Sequence, residues 1–256
     1  MLLPVLSLLF AQAAAPPTLD EDRLTVCLDQ ARSDPASAIA TADAWLAETA
    51  GPQRSLPRQC LGTAYVSLLR WDAAQAAFLA GRDERPATDH AGRARLGAMA
   101  GNAALAAGEH EGALAVFDRA LADAREADIS AALAGTIAAD RARALVALGR
   151  EDEAGAMLAD ARRDAPQQAD VWLLSATLAR RLDDLAQAQA HIETAAALAP
   201  DDAAIGLEAG LIAALTGRDD AARASWRSVI ATHPASPEST AAAEYLAQLD
   251  GAPPAR

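Results

Sequence analysis

Ala74-Gln-Ala76-Ala-Phe78, Ala113-Leu-Ala115-Val-Phe117, Ala154-Gly-Ala156-Met-Leu158, Ala188-Gln-Ala190-His-Ile192 and Ala222-Arg-Ala224-Ser-Trp226 are one pattern written five times: small, any, small, any, bulky apolar. The last three blocks begin 34 residues apart, and the first three are separated by 39 and then 41. Pro166, Pro200 and Pro234 close the last three at the same pitch. A fixed period of this size is the mark of one supersecondary unit stacked in copies.

Around each block the chain reads as helix, turn, helix. Trp172, Leu173, Ala176 and Ala179 recur at spacings of three and four, which is one face of a helix. Asp183-Asp184 makes the turn, and Ala188, Ile192 and Ala195 form the apolar face of a second helix. Pro200 ends that helix, because proline cannot continue it and restricts the residue before it. The following block repeats this through Gly206, Ala209, Gly210 and Ala213, the turn at 217–220, then Ala222, Trp226 and Val229. Earlier, Arg23 to Arg32 reads as a helix, Asp34-Pro35 as a turn, and 38–46 as its partner helix. Ser236-Pro237-Glu238 starts a last helix with Ser as cap and Pro in the first turn, and Tyr245, Leu246 and Leu249 give it an apolar face. The extra residues behind the longer spacings fall in 82–92, expected to be loop, and in 122–130, expected to lengthen a helix.

Set in register, these units resemble the tetratricopeptide repeat, a 34-residue helix pair. Its signature has a small residue at position 8, Ala at 20, an aromatic at 24, Ala at 27 and Pro at 32. Residues 55–86 carry Gly62, Ala74, Phe78 and Pro86, and 94–125 carry Gly101, Ala113, Phe117 and Ala120 without the proline. Residues 135–166 carry Ala142, Ala154, Leu158 and Pro166, with Arg141 at a usually apolar place. Residues 169–200 carry Ala176, Ala188, Ile192 and Pro200, and 203–234 carry Gly210, Ala222, Trp226 and Pro234. The resemblance implies an all-α, right-handed superhelical solenoid of about six helix pairs over 20–250, with a C-terminal capping helix and a flexible tail at 251–256. Position 8 is expected to pack on position 20, and the bulky side chain at 24 to fill the space toward the next unit.

Composition narrows the function. The chain has 256 residues, 52% apolar and 4% aromatic, with a net charge of −13. All 22 basic residues are Arg. Such a surface disfavours nucleic acid and anionic lipid as partners. Residues 1–10 are almost wholly apolar and run into Ala11-Gln12-Ala13-Ala14-Ala15, the pattern of a secretory signal, though without a basic residue ahead of it. The expected location is the periplasm or the exterior, with a cytoplasmic protein carrying an apolar N-terminus as the alternative. The segment is shorter than the roughly 20 residues a membrane span needs. Cys27 and Cys60 either pair in an oxidising compartment or lie as two small buried hydrophobes.

The sequence offers little chemistry. His90, His110, His191 and His233 fall in different units at no metal-ligand spacing, with His110 and His233 expected on exposed turns. Acidic clusters at 20–22, 151–153, 183–184, 201–202 and 219–220 precede helix starts, where carboxylates complement the helix dipole. No phosphate-binding Gly loop and no nucleophile with a neighbouring base is present. The expectation is a non-enzyme with no cofactor or metal. In the family the resemblance points to, the first helices line a concave groove for peptides. Carried over by register, the candidate groove residues are Gln59, Thr63, Val66, Arg95, Asn102, Arg143, Thr177, Arg180, Leu207 and Leu211. Arg95, Asn102, Arg143 and Arg180 would form a basic strip suited to a carboxylate. The alternative is ordinary solvated Arg on exposed helix faces. The functions implied are a scaffold holding a protein or peptide partner, a self-assembling solenoid forming a homo-oligomer, or an assembly-factor module for envelope complexes.

Overall fold

Turn residues cut the chain into helices of nearly equal length, stacked in sequence. The structure is a computed structural model and describes residues 19–127 and 131–251. Among these residues there are thirteen α-helices and no strand: α1 Leu19–Ser33, α2 Pro35–Glu48, α3 Ser55–Ser67, α4 Trp71–Glu84, α5 His90–Ala106, α6 His110–Glu126, α7 Ala131–Ala147, α8 Glu151–Asp164, α9 Ala169–Arg181, α10 Leu185–Leu198, α11 Ala203–Leu215, α12 Asp219–Thr232 and α13 Pro237–Gly251. They form six antiparallel pairs and one closing helix, an all-α solenoid. No helix among the described residues is long and apolar enough to cross a membrane. The expected signal segment at 1–15 and the tail beyond Gly251 lie outside the described residues; Gly251 itself is the last residue of α13.

The helix starts follow from local chemistry. Asp34, Asp89, Asp184 and Asp202 each accept a hydrogen bond from the backbone N–H three residues on, and Ser236 does the same for Ser239. These side chains satisfy donors that the first turn leaves unpaired. Glu151–Glu153 and Asp219–Asp220 occupy first turns of α8 and α12. Inside the pairs, Gly108, Gly149 and Gly217 take positive φ at the tight turns. Leu69 and Asp183 hold the same conformation at the equivalent turns, with φ of 56° and 61°. Aspartate tolerates that region, whereas leucine is strained there.

The longer spacings have a different origin from the one expected at 82–92. The α4 helix runs on to Glu84 and α5 begins at His90, so only Arg85–Asp89 is loop. The extra residues lengthen α5, α6 and α7, each 17 residues long against 13 in α3, α9 and α11. Residues 90–106 are mostly Ala and Gly capped by Asp89, and nothing in that run stops a helix.

The core is a series of five clusters along the stack, the largest of which runs from α5 to α9. Phe117 and Leu145 are fully buried with Ala113, Ala120, Ala142 and Leu158 in the middle of the molecule. Phe78 joins Ala74 to Leu96 and Ala100 of the next pair, as the place of position 24 requires. The nearest neighbour of position 8 where it is glycine is the ring at position 24, and the small residues at 8 and 20 share a cluster in the fourth and fifth pairs. A Cβ on Gly62 would fall inside the Phe78 ring, and one on Gly101 or Gly210 inside Phe117 or Trp226. Glycine is required there because ring atoms occupy the place of a Cβ. Arg141, the polar intruder in its repeat, reaches Asp118 of the preceding helix at 2.7 Å.

Candidate functional site

Consecutive first helices touch one another (α1 with α3, α5 with α7, α7 with α9, α9 with α11), whereas second helices touch no second helix of a neighbouring pair to a comparable extent. The first helices are therefore on the inside of the curve, and their free faces line the groove.

Three of the junctions along that face carry a specific tie. Cys27 of α1 and Cys60 of α3 are joined as a disulfide, with Cα atoms 6.0 Å apart. Asn102 of α5 donates through Nδ2 to Asp140 of α7 at 2.8 Å. Arg180 of α9 grips Glu208 of α11 through two nitrogens, at 2.6 and 3.2 Å. Glu208 is buried, so this fork is partly shielded from water. Arg143 stands 3.5 Å from Asp140, one turn along α7. Burial pushes the Asp140 carboxyl above its usual range against the opposing pull of Asn102 and Arg143.

The two junctions between these ties are open. Between α3 and α5 lies a cleft of 240 Å³ lined by Thr63, Val66, Trp71, Phe78, Met99, Asn102 and Ala103. Between α7 and α9 lies one of 270 Å³, walled chiefly by Val146, Leu158, Leu174, Thr177 and Leu178, with Arg143 and Arg181 at its edge. Both are apolar hollows with a few polar groups, the usual make-up of a recognition pocket. Asn102 borders the first, and its Oδ1 is buried without a hydrogen-bond partner.

The sequence-derived groove residues are thus distributed unevenly. Thr63, Val66 and Asn102 come together in one cleft and Arg143 and Thr177 in the other. Gln59 accepts the Thr63 hydroxyl through its backbone carbonyl. Leu207 and Leu211 pack into the terminal cluster with Tyr245, Leu246 and Leu249 of α13, so they serve the cap. The expected basic strip does not stand as a row of free cations. Arg180 is neutralised by Glu208 and Arg143 faces Asp140, leaving Arg95 exposed. Solvation or pairing of each guanidinium is the lower-energy arrangement in so acidic a chain. The pairing residues Asp140 and Glu208 escaped the sequence reading, although each sits one turn before a register position already singled out. The histidines also differ from expectation. His110 opens α6 half-buried, and His233 is half-buried with Thr232 against its Nδ1.

Among the described residues, no group of three or more His, Cys, Asp or Glu is placed to hold a metal. No family model matches the sequence, and no curated protein does. Solved structures do match in shape. PilW, described as a widely conserved type IV pilus biogenesis factor, superposes with a TM-score of 0.68 over 88% of this chain and 99% of its own, at 19% identity. TTC0263, a thermophilic TPR protein of Thermus thermophilus, superposes at 0.63 over 75% of this chain and 98% of its own, at 22% identity. This chain has the tetratricopeptide-repeat fold. PilF of Pseudomonas aeruginosa is similar again, at 0.64 over 90% of this chain and 97% of its own, with 15% identity. The shared feature is the stacking of helix pairs, which the small-and-bulky register of this sequence encodes.

Proposed function

We propose that the protein is an interaction scaffold of the cell envelope, holding an extended segment of a partner protein along its first-helix face, without catalysis. The observation that carries this reading is the pair of apolar clefts at the α3–α5 and α7–α9 junctions, separated by the Asn102–Asp140–Arg143 seam. Two hollows along one face suit two apolar side chains of one segment. An oxidising location agrees with the Cys27–Cys60 pairing and with the apolar N-terminal run. The shape shared with a pilus biogenesis factor supports an assembly-factor role in the envelope as the more specific form of this proposal.

The test is site-specific photo-crosslinking in the native host. A crosslinking residue at Thr63 or Thr177 should capture one discrete partner, and the same residue at exposed Arg119 or Arg227 on second helices should not. Equal capture at all four positions, or none at the first two, removes the groove as the binding surface. A self-assembly reading has one observation in its favour: Leu19 and Val26 are 88% and 69% exposed on α1, at one end of the solenoid. Light scattering across a dilution series separates the two, because end-to-end packing makes mass depend on concentration.

A further inference from the structure

Arg162 is unlike every other described arginine. The others are either exposed or have a carboxylate within 4.0 Å. Arg162 is half-buried, and no carboxylate pairs with it in a chain of net charge −13. Its Nη1 donates to Ser175 Oγ at 2.7 Å, and that hydroxyl is itself spent on the Val171 carbonyl. The guanidinium carbon lies 5.8 Å from the centre of the Trp172 ring, which is held by its own bond to the Pro166 carbonyl and meets the His191 ring at 5.6 Å with a tilt of 52°. Burial lowers the guanidinium's pKa, with no acid to offset it. Leaving a cation partly desolvated and unpaired is costly, and proteins keep such groups mainly where something else supplies the counter-charge.

This arginine lines a cleft of 170 Å³ with Gly155, Leu158, Ser175, Leu178, Asp184 and His191. The cleft opens on the second-helix side of the α8–α9 junction, the most lightly packed of the sequential helix contacts. Leu158 and Leu178 separate it from the groove cleft on the opposite side. Gly155 leaves room that packing does not demand: a Cβ there would meet only Leu178 Cδ2, at 4.0 Å. Glycine inside a helix costs about 1 kcal/mol relative to Ala, so its presence without a steric reason points to the space itself. Asp184 is occupied with the N–H groups of Gln187 and leaves Arg162 alone.

We infer that the Arg162 cleft binds a carboxylate carrying a small apolar body, with the carboxylate on the guanidinium and the body against Leu158, Leu178 and Gly155. With Asp184 engaged by Gln187, the one unpaired cation matches a monoanion. A phosphate dianion would leave a charge uncompensated and facing Asp184. The site is separate from the first-helix groove and stands without it. Its ligand is either a free small carboxylic acid or the C-terminal carboxylate of a peptide.

Calorimetric titration of the full chain tests this with hexanoate, hexanamide, inorganic phosphate, and an acetylated peptide ending in Leu as the free acid or the amide. Hexanoate should saturate one site and hexanamide and phosphate should not bind there. Tighter binding of the free-acid peptide than of hexanoate identifies a peptide terminus as the source; weaker binding identifies a free acid. Arg162→Gln should weaken hexanoate about tenfold or more, the scale of a lost charge-assisted hydrogen bond. Gly155→Leu should fill the cleft and abolish binding while leaving the melting temperature at or above that of the unaltered protein, which guards against loss through unfolding. Unsaturable hexanoate binding, equal binding of hexanamide, or binding that survives Gly155→Leu overturns the proposal.

Discussion

In the second, third and sixth helix pairs an aromatic ring lies on a glycine: Phe78 on Gly62, Phe117 on Gly101, Trp226 on Gly210. In the fourth and fifth pairs the same two places hold Leu158 with Ala142, and Ile192 with Ala176. The exchange conserves contact, because a methyl added on one helix replaces part of the ring removed from the other. It does not conserve shape. A ring covers the bare glycine backbone of its own pair, whereas a branched aliphatic meets an alanine methyl. Leu158 borders both the α7–α9 cleft and the Arg162 cleft. Phe78 likewise borders the α3–α5 cleft, so openings occur beside both kinds of pair, and what the register position sets is how its own two helices meet.

The sharpest way to break this comparison is to truncate both kinds of key residue. Phe117 is fully buried, and Phe117→Ala should destabilise by about 3–5 kcal/mol. Leu158→Ala removes a side chain that already borders open space, and should cost about 2 kcal/mol, the low end for buried leucine. Urea unfolding of both variants measures the difference. Equal losses would mean that the α8–α9 junction is packed as tightly as its neighbours.

A somewhat smaller effect is expected at the N-terminal end, where α1 and α3 are held by covalent chemistry. The cysteines are 33 residues apart in sequence. In the chain-entropy account, opening a loop of that length costs about 3–4 kcal/mol, and packing of the first pair recovers none of it. Thermal unfolding with and without reductant should show the loss, and mass measurement after alkylation should show two blocked thiols only in the reduced sample. An unchanged melting temperature would show that the first pair is carried by packing alone.

The exchange can also be reversed. Leu158→Phe alone drives a ring against the Ala142 methyl, and overpacking of this kind costs about 1–3 kcal/mol. Adding Ala142→Gly recreates the aromatic-on-glycine arrangement of the other pairs. The double variant should regain most of the loss, and its coupling energy is the direct measure of the pairing. Simple additivity of the two changes would sink the claim that the two positions are matched.

These relationships explain what the sequence made legible. Ala74, Ala113 and Ala188 are fully buried because neighbouring helices press on them, and a packing constraint repeated at one period leaves a repeated pattern. The alternation of Gly with aromatic and Ala with aliphatic was equally present in the letters, but its meaning needed the ring to be seen on the backbone. Pairing was harder to read. Asn102 meets Asp140 across 38 residues and Arg180 meets Glu208 across 28, and neither spacing repeats. Charge is chosen junction by junction, so periodicity says nothing about it. Arg162 shows the same limit: in the sequence it is one of 22 arginines, and only its missing carboxylate sets it apart.

The smallest expected effect concerns the polar seam between the third and fourth pairs, where an aromatic-on-glycine pair meets an aliphatic-on-alanine pair. Asp140 has its pKa raised by burial in the folded protein. Between the ordinary aspartate value and that raised one, the folded state keeps a proton that the unfolded chain has released. Stability therefore falls as pH rises through this window, and at neutral pH the ionised carboxylate is a standing cost. Asn102 still finds an acceptor in Asp140→Asn, while the weak 3.5 Å contact with Arg143 is lost. The variant should gain at most about 1 kcal/mol at pH 7, with a flatter stability curve just above the usual carboxylate range. Chemical unfolding at a series of pH values measures this. A loss at pH 7 would show that Arg143 stabilises the ionised form by more than burial opposes it, making the seam an ion-pair clamp of the Arg180–Glu208 kind.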